Sequence, residues 1–488
     1  MSITPVLHPY QKYAVTFAYN IKRSGLLLDM GLGKTLIILT LIRELWRTGT
    51  YTGHVLIIAP KNVALATWPD EVKKWSTTQH LPIKVLAGLT KSKRDKALAE
   101  IQANNIPTIY VINNDIVRQV LSPFKPDKSP FQMIVIDEWH KYAHHNTQSF
   151  KFLKHYTPYV ERFVGMTGTP SPNNIENLWS EMFLLDNGKR LGPSITSFRN
   201  HYMVPSFIKT PQGFPCYYIP QIGADKVILK LISDCVLSMK NQDYLKLPEV
   251  TYSTLTCQMT KQEQNVYEEL LYTKLLELQD GSTIEGKDPL TLSNYLLQLA
   301  NGAVYTYPED KDTKDNEKIR QVVELHQHKL DLLEELIDHL QGQPLLVFYK
   351  YKHDITRIKE RFPEAVVLGE DGWDITRCQT EWNQGNIPLL LAHPMTASTG
   401  LNLQQGGRHI CWFGITPSLT DYLQSNARIA RQGQTDPVFI YHLVTKNTLD
   451  EKLLPRLQEK GETQKSIMTF LKKNAQEVVT LLNEIKKT

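Results

Sequence analysis

The residues most suited to chemistry lie in two short runs, and the first is rich in glycine. It is Leu26–Leu36, which carries Gly-Leu-Gly-Lys-Thr at Gly31–Thr35. Glycines let the backbone curl so that its N–H groups point at phosphate oxygens, and a helix starting there adds partial positive charge. Lys34 would reach the β- and γ-phosphates, and the Thr35 hydroxyl would ligate Mg²⁺. The run predicts a nucleotide site, although Leu28 stands where the usual pattern begins with glycine.

The second run is acidic and follows a predicted buried strand, Met133–Ile136. Ligands of parallel sheets bind outside the carboxyl ends of the strands, which is where Asp137 and Glu138 would lie. Asp137 is suited to holding Mg²⁺, and Glu138 to orienting and deprotonating the attacking water. Acids at a strand end are common on surfaces, but their position downstream of a strand, a glycine loop and a helix predicts ATP hydrolysis.

These groups need a scaffold, and the chain predicts one twice. Short apolar runs alternate with amphipathic stretches, a pattern typical of parallel α/β sheets, so we expect two lobes with a cleft between them. The first set of predicted strands is Gly25–Asp29, Val55–Pro60, Thr108–Asn113, Met133–Asp137 and Phe163–Gly168. The second set is Leu345–Tyr349, Ala365–Gly369, Leu389–His393, His409–Phe413 and Val438–Leu443.

The stretch between the two sets has a helical pattern instead, with Val266, Leu270, Leu271, Leu275 and Leu278 at helical spacing. The predicted organisation is therefore an N-terminal ATP-binding lobe (1–185), a largely helical insertion (186–324), a C-terminal lobe (325–455) and a C-terminal helical extension (456–488). That extension carries an apolar stripe from Ile467 to Ile485 among lysines. We interpret it as a helix docked on the body rather than a partner-binding helix.

Composition narrows the class of protein only a little. Among 488 residues, 55 Lys and Arg against 50 Asp and Glu give a net charge of +5, which permits a polyanionic partner without indicating one. The five cysteines form no C-x-x-C pair, so we expect neither a zinc site nor a disulfide framework. Without an N-terminal apolar run or an apolar stretch of about 18 residues, we expect a cytoplasmic protein without membrane contact.

The order of short motifs along the chain resembles helicase superfamily two, and within it the Swi/Snf-type DNA translocases. The family also often lacks the first glycine of the phosphate motif. In the N-terminal part the matching runs are Leu7–Gln11, Asp29–Thr35, Ala59–Asn62 with Trp68, Glu71 and Trp75, Asp137–His140, and Met166–Pro170. In the C-terminal part they are Leu346–Tyr349, Thr399–Leu403, and Gln424 with Arg428, Arg431, Gly433 and Gln434. Trp139 replaces the common alanine of the acidic motif, and Ala397 and Ser398 replace paired glycines.

This resemblance implies two RecA-like lobes of the P-loop NTPase class and a role for each matching residue. The implied catalytic residues are Lys34, Asp137, Glu138, Arg428 and Arg431, with both arginines on one helical face and reaching the γ-phosphate across the cleft. The implied ATP-binding residues are Gln11, Met30, Gly31, Leu32, Gly33, Lys34, Thr35, Gly400 and Gln424, with Thr35 and Asp137 as Mg²⁺ ligands. Thr167, Gly168 and Thr169 would couple ATP state to lobe movement.

The resemblance points to DNA as the partner, double-stranded by preference. Candidate nucleic-acid contacts are Lys61, Asn62, Asn114, Lys350, Ser398 and Thr399, although Lys61 and Lys350 are equally compatible with solvated surface charges. Trp68 and Trp75 fit core packing better than base stacking.

The sequence of Leu391–Gly407 is similar to that of compact helicases of phage and prophage replication modules. We therefore expect an ATP-dependent DNA translocase or helicase acting in phage or bacterial replication, recombination or repair, alongside a replication or nuclease partner. An RNA-dependent ATPase and a nucleotide-gated recruitment factor that does not translocate stay open as alternatives.

Overall fold

The structure, a computed structural model, describes residues 6–168, 175–206, 217–245, 247–269, 289–306, 321–397 and 401–462. It divides into two compact units. The first unit comprises the described part of Met1–Leu245 together with residues 460–462, and the second comprises the described part of Lys246–Glu459. Each unit has its own sheet and its own hydrophobic core.

The first unit contains a seven-stranded sheet in which every neighbouring pair is parallel. Its strand order is β3-β4-β2-β5-β6-β1-β9. Because β1 and β5 are interior strands, the glycine loop and the acidic pair both follow well-supported strand ends. The strands are β1 (Arg23–Leu28), β2 (His54–Ala59), β3 (Ile83–Val85), β4 (Ile109–Asn113), β5 (Phe131–Asp137), β6 (Arg162–Thr167) and β9 (Val236–Met239). A separate two-stranded antiparallel ribbon is formed by β7 (Met203–Pro205) and β8 (Tyr218–Pro220).

The second unit contains a six-stranded sheet, again with parallel neighbours, in the order β10-β17-β16-β13-β15-β14. Its strands are β10 (Val250–Cys257), β13 (Leu345–Phe348), β14 (Val366–Val367), β15 (Leu389–Ala392), β16 (His409–Trp412) and β17 (Val438–Thr445). A small antiparallel pair is formed by β11 (Ala303–Thr306) and β12 (Gln321–Glu324). All ten strands predicted from apolar runs are present, so the predicted α/β class with two parallel sheets is confirmed.

Helices connect the strands, as parallel pairing requires. In the first unit they are Pro9–Asn20, Lys34–Arg47, Trp68–Lys74, Lys91–Ala103, Val117–Leu121, Gln148–Tyr156, Asn177–Asp186, Ile195–Tyr202 and Ala224–Ile232. In the second they are Pro289–Ala300, His328–Leu340, Lys352–Arg361, Ile375–Asn383, Pro394–Ala397 and Leu419–Asn426. Residues 261–269 and 449–462 are helical as well. Within the described residues, no helix has the length and apolar character needed to cross a membrane.

The expectation of a separate, largely helical insertion at 186–324 needs correction. Strand β9 pairs with β1 in the first sheet, and β10 pairs with β17 along all eight of its residues in the second. The chain therefore passes from one unit to the other at Leu245, and the described part of the stretch is shared between the two units. Leu270, Leu271, Leu275 and Leu278, like the C-terminal stripe from Ile467 to Ile485, lie outside the described residues.

Candidate nucleotide site

The glycine loop leaves β1 and turns directly into the helix Lys34–Arg47. Gly31 and Gly33 have φ angles of 84° and 76°, a left-handed conformation that costs a residue with a side chain more than it costs glycine. Gly33 is also the N-cap of the helix and has no side chain with which to cap it. The first backbone N–H groups of a helix lack partners within that helix, so this turn provides an anion site of the kind that binds phosphate.

Gln11 lies against the glycine loop. Its Nε2 donates to the Leu32 carbonyl at 3.2 Å, and its Oε1 accepts from the His8 backbone N–H at 3.0 Å. A Cβ at Gly33 would come within 2.5 Å of that Nε2, so any other residue at position 33 would displace the Gln11 side chain and would strain the backbone. The structure brings this implied ATP-binding residue into contact with the loop that would hold the phosphates.

The side chain of Lys34, the first residue of the loop helix, lies against the end of β1. Its Nζ donates to the Leu28 carbonyl at 2.9 Å. A Cβ at Gly168 would come within 3.3 Å of the same Nζ, which places the end of β6 beside the lysine. The predicted coupling motif and the phosphate loop therefore meet at neighbouring strand ends, as the pairing of β1 with β6 requires. Thr169, the third predicted coupling residue, lies outside the described residues.

Asp137 ends β5 and is held by a tryptophan. The Trp68 indole Nε1 donates to its Oδ2 at 3.2 Å. Burial, and after it the charge of the neighbouring Glu138, raises the pKa of Asp137 to about 6. Trp68 is fully buried, so the core-packing interpretation is confirmed, but its one polar atom fixes a carboxylate of the candidate site.

Glu138 follows with φ 58°, a left-handed conformation that costs a non-glycine residue about 1 kcal/mol or more. The Thr167 hydroxyl donates to its Oε2 at 3.4 Å, and His140 Nδ1 lies 3.2 Å from the same oxygen. His140 Nδ1 is also 2.9 Å from Thr167 Oγ1. Burial alone would raise the pKa of Glu138, but the hydrogen bond and charge of His140, with the charge of Lys34, outweigh it and lower the pKa.

The two acids are thus pushed in opposite directions. Glu138 is held ionised, while Asp137 carries the burial penalty of a carboxylate that a cation would relieve. Hard oxygen donors suit Mg²⁺, which usually takes one or two carboxylates along with substrate phosphates and waters. The Asp137 carboxylate at the strand end and the Thr35 hydroxyl, on the second residue of the loop helix, fit that donor set.

Trp139, which replaces the family's common alanine, is accommodated by two glycines. Its ring lies across Gly25 of β1 and Gly165 of β6, which are paired in register. A Cβ at Gly165 would come within 2.3 Å of Trp139 Cδ2, and one at Gly25 within 2.9 Å of Cζ3. The large ring is therefore buried under the sheet without displacing Glu138 from the strand end.

The predicted arginine motif lies in the second unit, and its local structure differs from expectation. The helix Leu419–Asn426 ends before Arg428 and Arg431, so the two arginines lie in the turns that follow and not on one helical face. Arg428 donates through Nε to the Gln424 carbonyl and through Nη1 to the Leu401 carbonyl, each at 3.0 Å. Burial lowers the pKa of Arg431.

The candidate nucleic-acid residues have different environments. Lys61 is exposed, Asn62 and Asn114 are half-buried, and the Tyr142 hydroxyl donates to Asn114 Oδ1 at 3.1 Å. Lys350 is not a freely solvated charge, because burial lowers its pKa to about 8. Ser398, Thr399 and Gly400 lie outside the described residues.

Two contributors to the site were not predicted as such from sequence. His140 is the last residue of the acidic motif, but its bond to Thr167 depends on the β5–β6 pairing. Trp68 is 69 positions from Asp137, so only the folded sheet brings the two together. The available signal was the position of both residues inside recognised motifs.

The chain was compared with known proteins. A family model described as the SNF2-related domain matches residues 10–302. A protein of Acyrthosiphon pisum secondary endosymbiont phage 1, named putative protein p41, is 31% identical over 477 residues, covering 95% of this chain and 98% of the phage protein.

More distant relatives are larger proteins. The human protein named DNA excision repair protein ERCC-6-like is 25% identical over 549 residues, covering 97% of this chain and 43% of that protein. This chain therefore spans less than half the length of that relative. A solved structure titled Sulfolobus solfataricus SWI2/SNF2 ATPase core in complex with dsDNA matches at 20% identity and a TM-score of 0.43, covering 96% of this chain and 94% of the other.

Proposed function

The chain belongs to the SNF2-related family, and we propose that it is a DNA-stimulated ATPase that uses hydrolysis to move along or remodel duplex DNA. One observation carries the proposal. A glycine loop at a helix N-terminus stands beside a strand-end pair, Asp137 and Glu138, whose pKa values are displaced in opposite directions. A paired metal carboxylate and ionised base beside a phosphate cradle is the arrangement that phosphoryl transfer to water needs.

In this mechanism the first unit binds the triphosphate. The loop N–H groups and Lys34 hold the β- and γ-phosphates, and Gln11 contacts the base. Thr35 and Asp137 would hold Mg²⁺, whose positive charge would offset the negative charge of the phosphates. Trp68 keeps Asp137 Oδ2 in place, so the metal ligand has little freedom to rotate.

Glu138 is the general base for the attacking water. Its lowered pKa keeps it ionised at neutral pH, and the Thr167 hydroxyl fixes one of its oxygens. Because Thr167 belongs to the coupling motif, a shift of the end of β6 on hydrolysis would change the hydrogen bonding of Glu138. We propose that His140, bonded to the same hydroxyl, holds this arrangement and acts as a positioning residue.

The second unit supplies the arginine. Arg428 gives two of its donors to carbonyls of its own unit, so we assign it a positioning role. Arg431 is the residue we propose for the γ-phosphate, where a guanidinium offers bidentate, permanently charged stabilisation. Gln424 and Gly400 complete the proposed nucleotide contacts.

DNA is proposed as the partner because a distant relative is named a DNA excision repair protein. Lys61, Asn62, Asn114, Lys350, Ser398 and Thr399 are the proposed contacts, mainly to phosphates. The phage relative supports only a phage setting. Within it we propose a role in phage or bacterial replication, recombination or repair, in the cytoplasm of the host cell and alongside a replication or nuclease partner.

The test is the Mg-ATPase rate of the purified chain with duplex DNA, single-stranded DNA, RNA or no nucleic acid. We expect stimulation by DNA that weakens as salt rises, because phosphate contacts release counterions. Lys34→Ala is the matched control for a contaminating ATPase. A paired assay of triplex displacement and fork unwinding then separates translocation from strand separation.

Each alternative has its own outcome. Stimulation by RNA alone would favour an RNA-dependent ATPase. ATP-dependent DNA binding without turnover would favour a recruitment factor, for which the intact acidic pair and arginine motif give no support. A turnover rate indifferent to every nucleic acid would reject the motor.

A further inference from the structure

A segment outside the sequence motifs lies against the phosphate loop. It follows β9 and is called here the bracing segment, Lys240–Leu245. Strand β9 pairs with β1 up to Leu28 and Met239, and the Asp29 backbone N–H then donates to the Met239 carbonyl at 3.1 Å. The first residue of the phosphate loop is therefore tied by backbone pairing to the end of β9, from which the bracing segment continues.

A side chain adds a second tie in the same place. The Asp29 Oδ2 atom accepts from the Asn241 backbone N–H at 3.0 Å. Burial raises the pKa of Asp29, while the Asn241 hydrogen bond and the charges of Lys34 and Lys240 oppose that rise. A charged acceptor makes a hydrogen bond about twice as strong as a neutral one.

Two apolar contacts extend the same interface. Tyr244 packs on Tyr10 with ring centroids 4.7 Å apart, and Tyr10 belongs to the helix that carries Gln11. Leu245 is buried beside the loop, since a Cβ built at Gly31 would lie 3.6 Å from its Cδ1. The bracing segment thus contacts the start of the loop, its first glycine and the helix that supports it.

We propose that Asp29 is a positioning residue that fastens the phosphate loop to the bracing segment through the Asn241 N–H. The bracing segment ends at Leu245, where the chain enters the second unit. The loop's position therefore depends on the stretch of chain that joins the two units. This proposal rests on the proposed function, because its consequence is measured on ATP turnover.

The test removes the two ends of the bond separately. Asp29→Ala removes the acceptor. Asn241→Pro removes the donor, and the backbone tolerates proline there, because Asn241 is the first residue of the short helix Asn241–Asp243 and Lys240 before it is extended at φ −97°, ψ 140°. The matched control is Asn241→Ala, which changes the side chain and keeps the N–H.

We expect each of the two variants to lower kcat/KM for ATP by about tenfold, the effect of losing one charge-assisted hydrogen bond. Asn241→Ala should stay within about twofold of the parent. The double variant should be no worse than either single one, because both remove the same interaction. Multiplying effects in the double variant, or a parental kcat/KM in Asn241→Pro, would overturn the proposal.

A second readout separates this role from simple stability and from failure of the proposed function. A purely structural contact would lower the melting temperature while leaving kcat/KM of the folded protein unchanged, which would also overturn the proposal. The increase in melting temperature on adding Mg-ADP requires no turnover. If the parent chain hydrolyses no ATP, the proposed function fails. The increase in melting temperature can still be compared among the parent, the two single variants and the double variant, and this comparison decides whether Asp29 and Asn241 act together.

Discussion

Both units contain a parallel strand that is followed by a turn and a helix, but the two turns differ in the acceptors available to their backbone N–H groups. In the first unit, β1 leads through Gly31 and Gly33 to a helix whose N-cap has no side chain. In the second, β13 leads to the helix Lys352–Arg361, and Asp354 within that helix accepts from the turn. Its Oδ2 receives the backbone N–H groups of Tyr351 at 2.9 Å and Lys350 at 3.2 Å.

The surroundings of Asp354 extend this difference. Asn301 Nδ2 donates to the same Oδ2 at 3.0 Å, and Lys329 Nζ donates to Asn301 Oδ1 at 2.9 Å. Lys329 pairs with Asp450 at 2.5 Å, with 0% and 1% of their side chains exposed. A carboxylate of the protein thus accepts from the backbone N–H groups at this turn of the second unit. The same strand–turn–helix arrangement leaves a place for a ligand where glycines form the turn. It forms a fixed framework where a carboxylate of the chain accepts from the turn.

The contrast between a ligand site in the first unit and a fixed framework in the second would fail if the second unit contributed a group to the reaction. Arg431→Ala tests this. We expect kcat to fall by roughly three to five orders of magnitude, the contribution of an arginine finger. The measurement is DNA-stimulated ATPase, with Arg408→Ala as control, since Arg408 is bound to Gln343 at the exposed surface. A fall of less than about tenfold would leave all the chemistry in the first unit.

Glu138→Gln tests the first unit's share. Removing a general base should lower kcat by about two to four orders of magnitude. ATP binding, followed with a fluorescent nucleotide, should be retained because the phosphate loop and Asp137 are unchanged. Substantial turnover in this variant would show that another group activates the water.

Asp354→Ala tests whether the second unit's carboxylate is structural. It leaves the N–H groups of Lys350 and Tyr351 and the Asn301 amide without their acceptor, so we expect a loss of about 3–5 kcal/mol in the free energy of unfolding. Asp374→Ala is the matched control, because among the described residues that exposed N-cap accepts from the Arg377 backbone N–H alone, and its loss should cost about 1 kcal/mol. Equal effects of the two variants in urea titrations would contradict the framework role.

The smallest expected effect is that of pH, because acid should destabilise the second unit more than the first. Burial lowers the pKa of His326, His409 and His442, all in the second unit, to about 4. Between about pH 6.5 and 4 the unfolded chain binds protons that the folded unit does not, so the second unit loses up to about 1.4 kcal/mol per pH unit for each histidine. Asp137 acts in the opposite sense, because its raised pKa favours the folded first unit as pH falls through 6.

Hydrogen exchange at pH 7 and pH 5, corrected for intrinsic rates, measures this difference on the intact chain. Protection of peptides from β13, β16 and β17 should fall more than protection of peptides from β1 and β5. Parallel losses in both groups would argue against the buried histidines as the cause.

The same contrast marks how far sequence analysis could go. Continuous apolar runs predicted ten strands, and the glycine loop and acidic pair were placed at the correct strand ends. Ser238 interrupts strand β9, and β10 alternates exposed and partly buried positions, so neither produces a continuous apolar run. The bonds from Trp68 to Asp137 and from Asn241 to Asp29 join residues far apart in sequence and follow only from the folded sheet order.

The ring of Trp139 over two glycines has a consequence for how this chain can change through evolution. Alanine could not arise at Gly165 while the tryptophan remains, because its methyl group would overlap the ring. A relative with alanine at the position of Trp139 is released from that restriction and can carry side chains at both glycine positions. The three sites should therefore vary together among homologues, and a tryptophan beside Glu138, once acquired, constrains two strands of its sheet.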